Sequence, residues 1–208
     1  MFAGKYNELM MTYLIIITTL FVSFSCFSQA NLFMKLAFVP YRVVRNKEWY
    51  RMITHGFVHA DSLHLLVNMF TFYSFGTEME RMFGYMGFGP LAFIGLYLGG
   101  ILAASIPDLL QKKNQPNYVS IGASGAVSAV LFAYILFNPW RSVLLFAILP
   151  VPGILFGVLY LIYCQYMVRK GGGSINHKAH FYGAIFGFLY PLFLEPGLLP
   201  AFLSHFGL

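Results

Sequence analysis

Residues Leu91 to Ile106 read LAFIGLYLGGILAASI, a run with no charge and no strict alternation of apolar and polar positions. A strand of a membrane barrel alternates the two over roughly ten residues. This run is instead apolar on every face, and Ser142 to Met167 repeats the property over a longer stretch. Segments of that kind are helices whose solvent is hydrocarbon. The whole chain agrees, because 59% of its 208 residues are hydrophobic and only 10% are charged, against roughly 25% charged in ordinary soluble domains. A water-soluble globule is excluded, and so are disordered and coiled-coil chains, which need a solvated face. At about 20 apolar residues per crossing, the length holds six helices with short connections. The expected fold class is therefore all-α: a polytopic membrane protein of six transmembrane helices, forming a single membrane domain over residues 1–208.

Working outward, the spans are expected at Leu9–Phe27, Ser62–Met82, Phe88–Ile106, Ser120–Phe137, Ser142–Met167 and Lys178–Leu194. The first follows Lys5 and Glu8 and is read as a retained helix, since it is long for a signal-peptide core and lacks a clear small-x-small cleavage site. The longest connection, Ser28 to Asp61, mixes Phe33, Phe38, Tyr41, Trp49 and Tyr50 with Lys35, Arg42, Arg45, Lys47 and Arg51. That mixture suits an interfacial segment with rings at headgroup depth and basic tips in water. Pro107 to Tyr118 reads as a polar loop, Asn138-Pro139 as a helix stop, and Gly171-Gly172-Gly173-Ser174 as a flexible link. Cys26 and Cys164 have no metal-ligand spacing and read as small core residues. The short apolar tail after Glu195-Pro196 either extends the last span or lies on the surface.

Strongly polar groups inside spans point to function, and here they are His64 and Asn68 in the second, Ser124 in the fourth and His180 in the sixth. His64 and Asn68 are one helical turn apart on one face. They either converge on one atom or satisfy neighbouring backbone carbonyls. Ser124 lies in Gly122-Ala-Ser-Gly-Ala126, which serves either close helix packing or an accessible hydroxyl and backbone N–H. His180 shares a face with Gly183 and Gly187, so a partner backbone can approach beside the imidazole. A serine hydroxyl becomes a competent nucleophile when a neutral histidine takes its proton. Of the acidic residues in or near the spans, Asp61, Glu78, Glu80, Asp108 and Glu195, none has a spacing that fixes it near His180.

Together these motifs resemble the rhomboid family of intramembrane serine proteases. The first loop's Trp49-Tyr50-Arg51 through His55 and the His59-x4-His64-x3-Asn68 of the second span look like family elements. So do Gly76-x3-Glu80-x3-Gly84, Gly122-Ala-Ser124-Gly125 and Ala179-His180-x2-Gly183-x3-Gly187. The resemblance implies a six-helix rhomboid bundle with Ser124 as nucleophile and His180 as general base, then acid to the leaving amine. Asn68, His64 and the Ser124 backbone N–H would form the oxyanion hole. No metal or cofactor is implied. It also implies transmembrane-protein substrates, unwound at the cut, admitted by movement of the fifth helix or of the loop Arg169 to His177.

Two features depart from the family pattern. Some members carry an aromatic residue one turn after the nucleophile that packs on the catalytic histidine, whereas this chain has Ser128. With a cytoplasmic amino terminus, Lys5, Arg81 and Arg141 lie inside and the other ten of the 13 basic residues outside, against the positive-inside rule. Five of those outer charges belong to the interfacial loop, and the family topology is kept. The expected location is a bacterial inner membrane, with the site opening to the non-cytoplasmic side. A metal transporter using His55, His59, His64, His177 and His180 would leave the Gly-Ala-Ser-Gly element idle; in the favoured reading His55 and His59 bond within the first loop and its junction with the second helix. A helix-binding rhomboid-like protein without activity would lack the serine or the histidine. The net charge of +6 reads as attraction to lipid headgroups rather than to nucleic acid.

Overall fold

The computed structural model describes residues 10–145, 148–171, 173 and 175–208. Lys5, Glu8 and Leu9, and Gly172 and Ser174 of the glycine link, lie outside the described residues. Ten α-helices follow in order among the described residues: α1 (Met10–Ser28), α2 (Ala30–Leu36), α3 (Pro40–Arg45), α4 (Arg51–Thr54), α5 (Ser62–Tyr85), α6 (Gly89–Lys112), α7 (Ser124–Phe137), α8 (Gly153–Lys170), α9 (His177–Leu194) and α10 (Leu198–Ser204). A single 3-10 turn, His55–Phe57, follows α4. The chain is thus mostly helical, and α1 and α6 are each long and apolar enough to cross a membrane. The pair α9 and α10, bent by 115°, passes that test only when taken together.

Helix α7 is the axis of the molecule. Every residue from Gly125 to Leu136 is buried, packed among α5, α6, α8 and α9. Its contact with α9 is made backbone to backbone. A Cβ at Gly183 would collide with the Gly125 carbonyl, and one at Gly187 with that of Ala129. On the other side Gly100 of α6 meets Ala126 and Ala129. In hydrocarbon, where lipid is as apolar as leucine, such close small-residue packing supplies much of the attraction between helices. The outer helices turn large apolar side chains outward instead: Ile17 and Phe21 of α1, Leu66 and Phe70 of α5, Leu159 and Ile162 of α8 are all exposed. Cys26 and Cys164 are buried and unpaired, as small core residues should be.

Three local expectations are corrected. The stretch expected as one span from Ser142 opens with an antiparallel hairpin, β1 (Ser142–Leu145) on β2 (Leu149–Pro152), with Val143 opposite Val151. The helix begins only at Gly153, because Pro150 and Pro152 cannot donate the N–H groups a helix needs in its interior. The loop expected from Pro107 is helical as far as Lys112. The fourth span starts at Ser124 rather than Ser120, since Gly122 has φ +112°, which no right-handed helix accommodates. Ser120 instead bridges to Phe38, each backbone N–H donating to the other's carbonyl.

The connection between α1 and α5 is more tightly built than an interfacial segment requires. Lys35, Arg42, Arg45 and Lys47 are exposed as expected, but Arg51 is buried. Its guanidinium donates to the carbonyls of Met34 and Ala37, both at 2.7 Å, and pairs with Glu48. A buried guanidinium with its fork filled by carbonyl and carboxylate oxygens is a structural clamp. Glu80 does similar work at the far end of α5. Its carboxylate accepts from the Met11 and Thr12 backbone N–H groups and from the Thr12 hydroxyl, capping the first described turn of α1.

Candidate active site

Ser124 is the first residue of α7 and, with Phe137 at the other end, is only half-buried where the rest of that helix is sealed. The backbone N–H groups in the first turn of a helix have no partner within it. The Ser124 hydroxyl therefore stands beside donors that carry the positive end of the helix dipole. The approach to Ser124 is fixed by two hydrogen bonds from backbone N–H groups. Gly122 N–H donates to the His55 carbonyl at 3.0 Å, and Ala123 N–H donates to His59 Nε2 at 3.4 Å. Because Nε2 accepts, Nδ1 carries the proton and donates to Ser23 Oγ at 2.9 Å, which in turn donates to the Phe57 carbonyl. This relay ties α1, the first loop and the entry to α7 into one unit. His55 reaches Ser105 of α6 at 2.8 Å. The His59 ring meets His64 edge-on at the junction with α5, centroids 5.0 Å apart, but the side-chain hydrogen bonds of His55 and His59 reach beyond the first loop, to α6, α1 and the entry to α7. Burial lowers both imidazoles, His55 to about 4 and His59 to about 3, so both are neutral hydrogen-bonding groups.

Asp61 caps α5 by accepting from His64 N–H, which sets the turn holding His64 and Asn68. The His64 ring lies against Gly122. A Cβ built there would sit 3.0 Å from the ring's Cε1 and 3.9 Å from the Ser124 nitrogen. Glycine at 122 is required twice, by its φ and by this ring. Asn68 is buried, and its side-chain amide donates to the His64 carbonyl at 2.9 Å. That leaves the amide's second N–H for another acceptor.

His180 is half-buried, one turn into α9. The Gly183–Gly125 contact and the Ala179 carbonyl, 3.6 Å from a Cβ built on Gly125, lay its turn alongside the start of α7. Among the described residues no hydrogen bond joins the Ser124 hydroxyl to the His180 ring. Such bonds are commonly looser without substrate. The His180 ring stacks on Tyr160 of α8, centroids 6.3 Å apart and planes within 7°. Tyr160 bonds Ser128 through its hydroxyl at 2.8 Å. One turn after the serine this chain has Ser128, a small hydroxyl residue, and the ring against His180 comes from another helix.

The start of α9 is anchored by groups whose partnership sequence spacing did not reveal. Asn176 caps the helix by accepting from Ala179 N–H and donates to Asp108 at 2.5 Å. Tyr118 donates to the same carboxylate at 2.6 Å. Burial, and then this bond to Asp108, raise the Tyr118 hydroxyl. Lys178 lies 3.8 Å from the other Asp108 oxygen. Asp108 is thus the acidic residue linked to the His180 helix, acting on its first turn and not on the ring. The visible sequence signal was a buried-type acid after Pro107 and an Asn three residues before Ala179.

The model of the rhomboid domain matches residues 46–196. The chain is 32% identical over 148 residues to RHOMBOID-like protein 12, mitochondrial, of Arabidopsis thaliana, covering 64% of this chain and 43% of that protein. It is 28% identical over 148 residues to the putative rhomboid protease YdcA of Bacillus subtilis, covering 70% and 67%. With rhomboid protease GlpG of Haemophilus influenzae it shares 28% over 158 residues, 76% of each chain. The chain spans between 21% and 43% of the length of four plant and yeast relatives. A match that runs from the end of α3 to just beyond α9 takes in Ser124, His180, His64 and Asn68 together, and the chain belongs to the rhomboid family of integral membrane proteins.

Proposed function

We propose that this chain is an intramembrane serine protease. It forms a single rhomboid membrane domain over residues 1–208, with α1, α5, α6, α7, α8 and α9 as its six transmembrane helices. Ser124 Oγ attacks a peptide carbonyl of a transmembrane substrate while His180 takes its proton. The oxyanion is held by the Ser124 N–H, Asn68 and His64. His180 then returns the proton to the leaving amine, and water, activated by the same ring, hydrolyses the acyl-enzyme.

The observation that carries this reading is the glycine-to-backbone contact of α9 on α7, which sets the His180 turn beside a serine at a helix N-terminus. Depth supports it. With 14 residues at about 1.5 Å each, α7 is about 21 Å long, too short for a hydrocarbon core of about 30 Å. It cannot reach both surfaces, which is consistent with Ser124 lying below one of them, where polar groups are tolerated if they line water. The sparse burial of α8, with only Gly153, Gly157 and Cys164 buried, supports the admission of substrate there. An apolar cleft of about 230 Å³ runs between α8 and α9, bounded by Ile154, Val158, Ala184, Ile185 and Phe188. A substrate helix must unwind at the cut, because its carbonyls are otherwise held in internal hydrogen bonds.

The test is cleavage of a reporter transmembrane helix co-reconstituted in liposomes. Wild type is expected to cut it, Ser124→Ala and His180→Ala to lose more than a thousandfold in rate while staying folded, and a chelator not to slow the wild type. Cleavage by either variant overturns the dyad. No cleavage by wild type, with no labelling of Ser124 by a fluorophosphonate, favours a helix-binding protein. The site is proposed to face away from the cytoplasm of a bacterial inner membrane. Labelling of a cysteine at Arg141 from outside intact cells overturns that orientation.

A further inference from the structure

Cys164, His177 and His180 are far apart in sequence, yet in the structure they converge. The cysteine Sγ and one ring nitrogen of each histidine all lie within 4.8 Å of one another. His177 and His180 are three residues apart on α9 and so share a face. Cys164 projects from α8 and is fully buried, and His177 is 8% exposed. Among the described residues its Nδ1 is buried without a hydrogen-bond partner, an unfavourable arrangement unless something fills it. The rings are walled by tyrosines of α8: Tyr163 meets His177 edge-on at 5.2 Å, and Tyr160 stacks on His180. The nearest lysine on α9, Lys178, is already committed to Gln111 and Asp108.

We propose that Cys164, His177 and His180 form a binding site for a zinc-class divalent ion that switches the active site off. One thiolate and two imidazoles form a borderline-soft donor set, suited to zinc with a fourth position left to water. Calcium and magnesium, which take oxygen ligands, are not accommodated. Zinc bonds of about 2.0–2.3 Å place tetrahedral ligands roughly 3.3–3.8 Å apart, so the cluster must contract by about an ångström. Helix α8, which has only Gly153, Gly157 and Cys164 buried, is the less enclosed of the two helices and the one whose shift would close that distance. On binding, the Cys164 thiol gives up its proton to solvent and ligates as thiolate. A neutral imidazole has one acceptor nitrogen. Whichever nitrogen of His180 holds the ion, the other carries hydrogen and cannot take the Ser124 proton.

The inhibitory consequence rests on the protease reading, whereas metal binding does not, and the experiment separates them. Tag-free full-length protein in detergent is titrated with Co²⁺ and followed by its thiolate-to-cobalt charge-transfer band, then competed with Zn²⁺. The expected result is one ion per chain with the band present. Cys164→Ser should lose the band, His177→Gln should bind at least about tenfold more weakly, and Cys26→Ser should match wild type. In the liposome cleavage assay Zn²⁺ should lower wild-type cleavage at least tenfold, with recovery on chelation. Cys164→Ser should keep basal activity and need at least tenfold more Zn²⁺ for the same loss. Absence of the band, or its persistence in Cys164→Ser, overturns the site. Binding without loss of cleavage overturns the switch. Binding by a chain that never cleaves leaves the site standing and counts against the protease alone.

Discussion

Helices α7 and α8 are neighbours in sequence and opposites in construction. Helix α7 has twelve buried residues in a row, and its two glycine contacts with α9 are backbone on backbone. Helix α8 has three buried residues and meets the rest of the molecule across an apolar cleft. The serine stands on the first of these and the ring stacked on the histidine, Tyr160, on the second. A nucleophile must be held where its oxyanion donors are, and a helix locked on every side does that. In the protease proposal α8 is the wall that parts for a substrate, and such a wall cannot be locked the same way. On that proposed reading, the position of α8 would report to His180 through Tyr160, so that opening this wall would loosen the proposed base.

Four experiments break or sharpen this contrast. The largest effect is expected on the fixed side: Asn68→Ala should lower kcat by about a hundredfold or more, near 3 kcal/mol of transition-state stabilisation, with little change in KM. A change confined to KM would make Asn68 a binding residue. Next, Gly187→Ala forces a methyl into the Ala129 backbone and should destabilise by about 3 kcal/mol. The matched change on α8, Gly157→Ala, meets Ile135 and Phe132 at ordinary contact distance and should leave the denaturation midpoint in detergent unchanged. Equal midpoints for the two would erase the proposed distinction.

Tyr160→Ala should reduce kcat by about tenfold, of the order of an aromatic contact of about 1 kcal/mol, and should also lower the denaturation midpoint, because it empties the packing on Phe132 and Phe156. Tyr160→Phe, which keeps the stack and loses only the bond to Ser128, should restore most of it. Failure of phenylalanine to rescue would assign the effect to the hydroxyl. The smallest effect concerns pH. His55 and His59 are lowered by burial, to about 4 and about 3, so the unfolded chain binds more protons below its ordinary histidine value near 6.5. Their contribution to stability is complete above that value and is lost as pH falls towards 4, at no more than about 1.4 kcal/mol per pH unit for each. His59→Gln should flatten the fall in midpoint between pH 6.5 and 4, and an unchanged slope would remove His59 from the relay.

Legibility followed the range of the interaction. The helices of α1, α5 and α9 were readable to within about three residues because apolar composition over one turn after another is a local property. The glycines at 183 and 187 were readable as a close-approach face, and the structure seats the Gly125 and Ala129 backbones on them. The hairpin before α8 was missed because its length and hydropathy suited a span, and the two prolines that forbid a helix there were outweighed by the apolar run. Arg51 was read as a basic tip in water because charge ordinarily seeks solvent. Its burial depends on the carbonyls of Met34 and Ala37, presented by turns that hydropathy does not reveal.

By itself the sequence determined the hydrocarbon solvent, the helical class and the four polar residues that a span would not carry idly, His64, Asn68, Ser124 and His180. Each of these follows from a cost that one residue incurs in its own segment. Only the tertiary structure decided that Tyr160 faces His180, that Asp108 holds the cap of α9 through Asn176, and that Cys164 meets two histidines. These pairings join different helices, and the register between helices is fixed by how closely glycine lets their backbones approach. The physical reason is that hydrophobicity selects a medium, without selecting which side chains in that medium become neighbours.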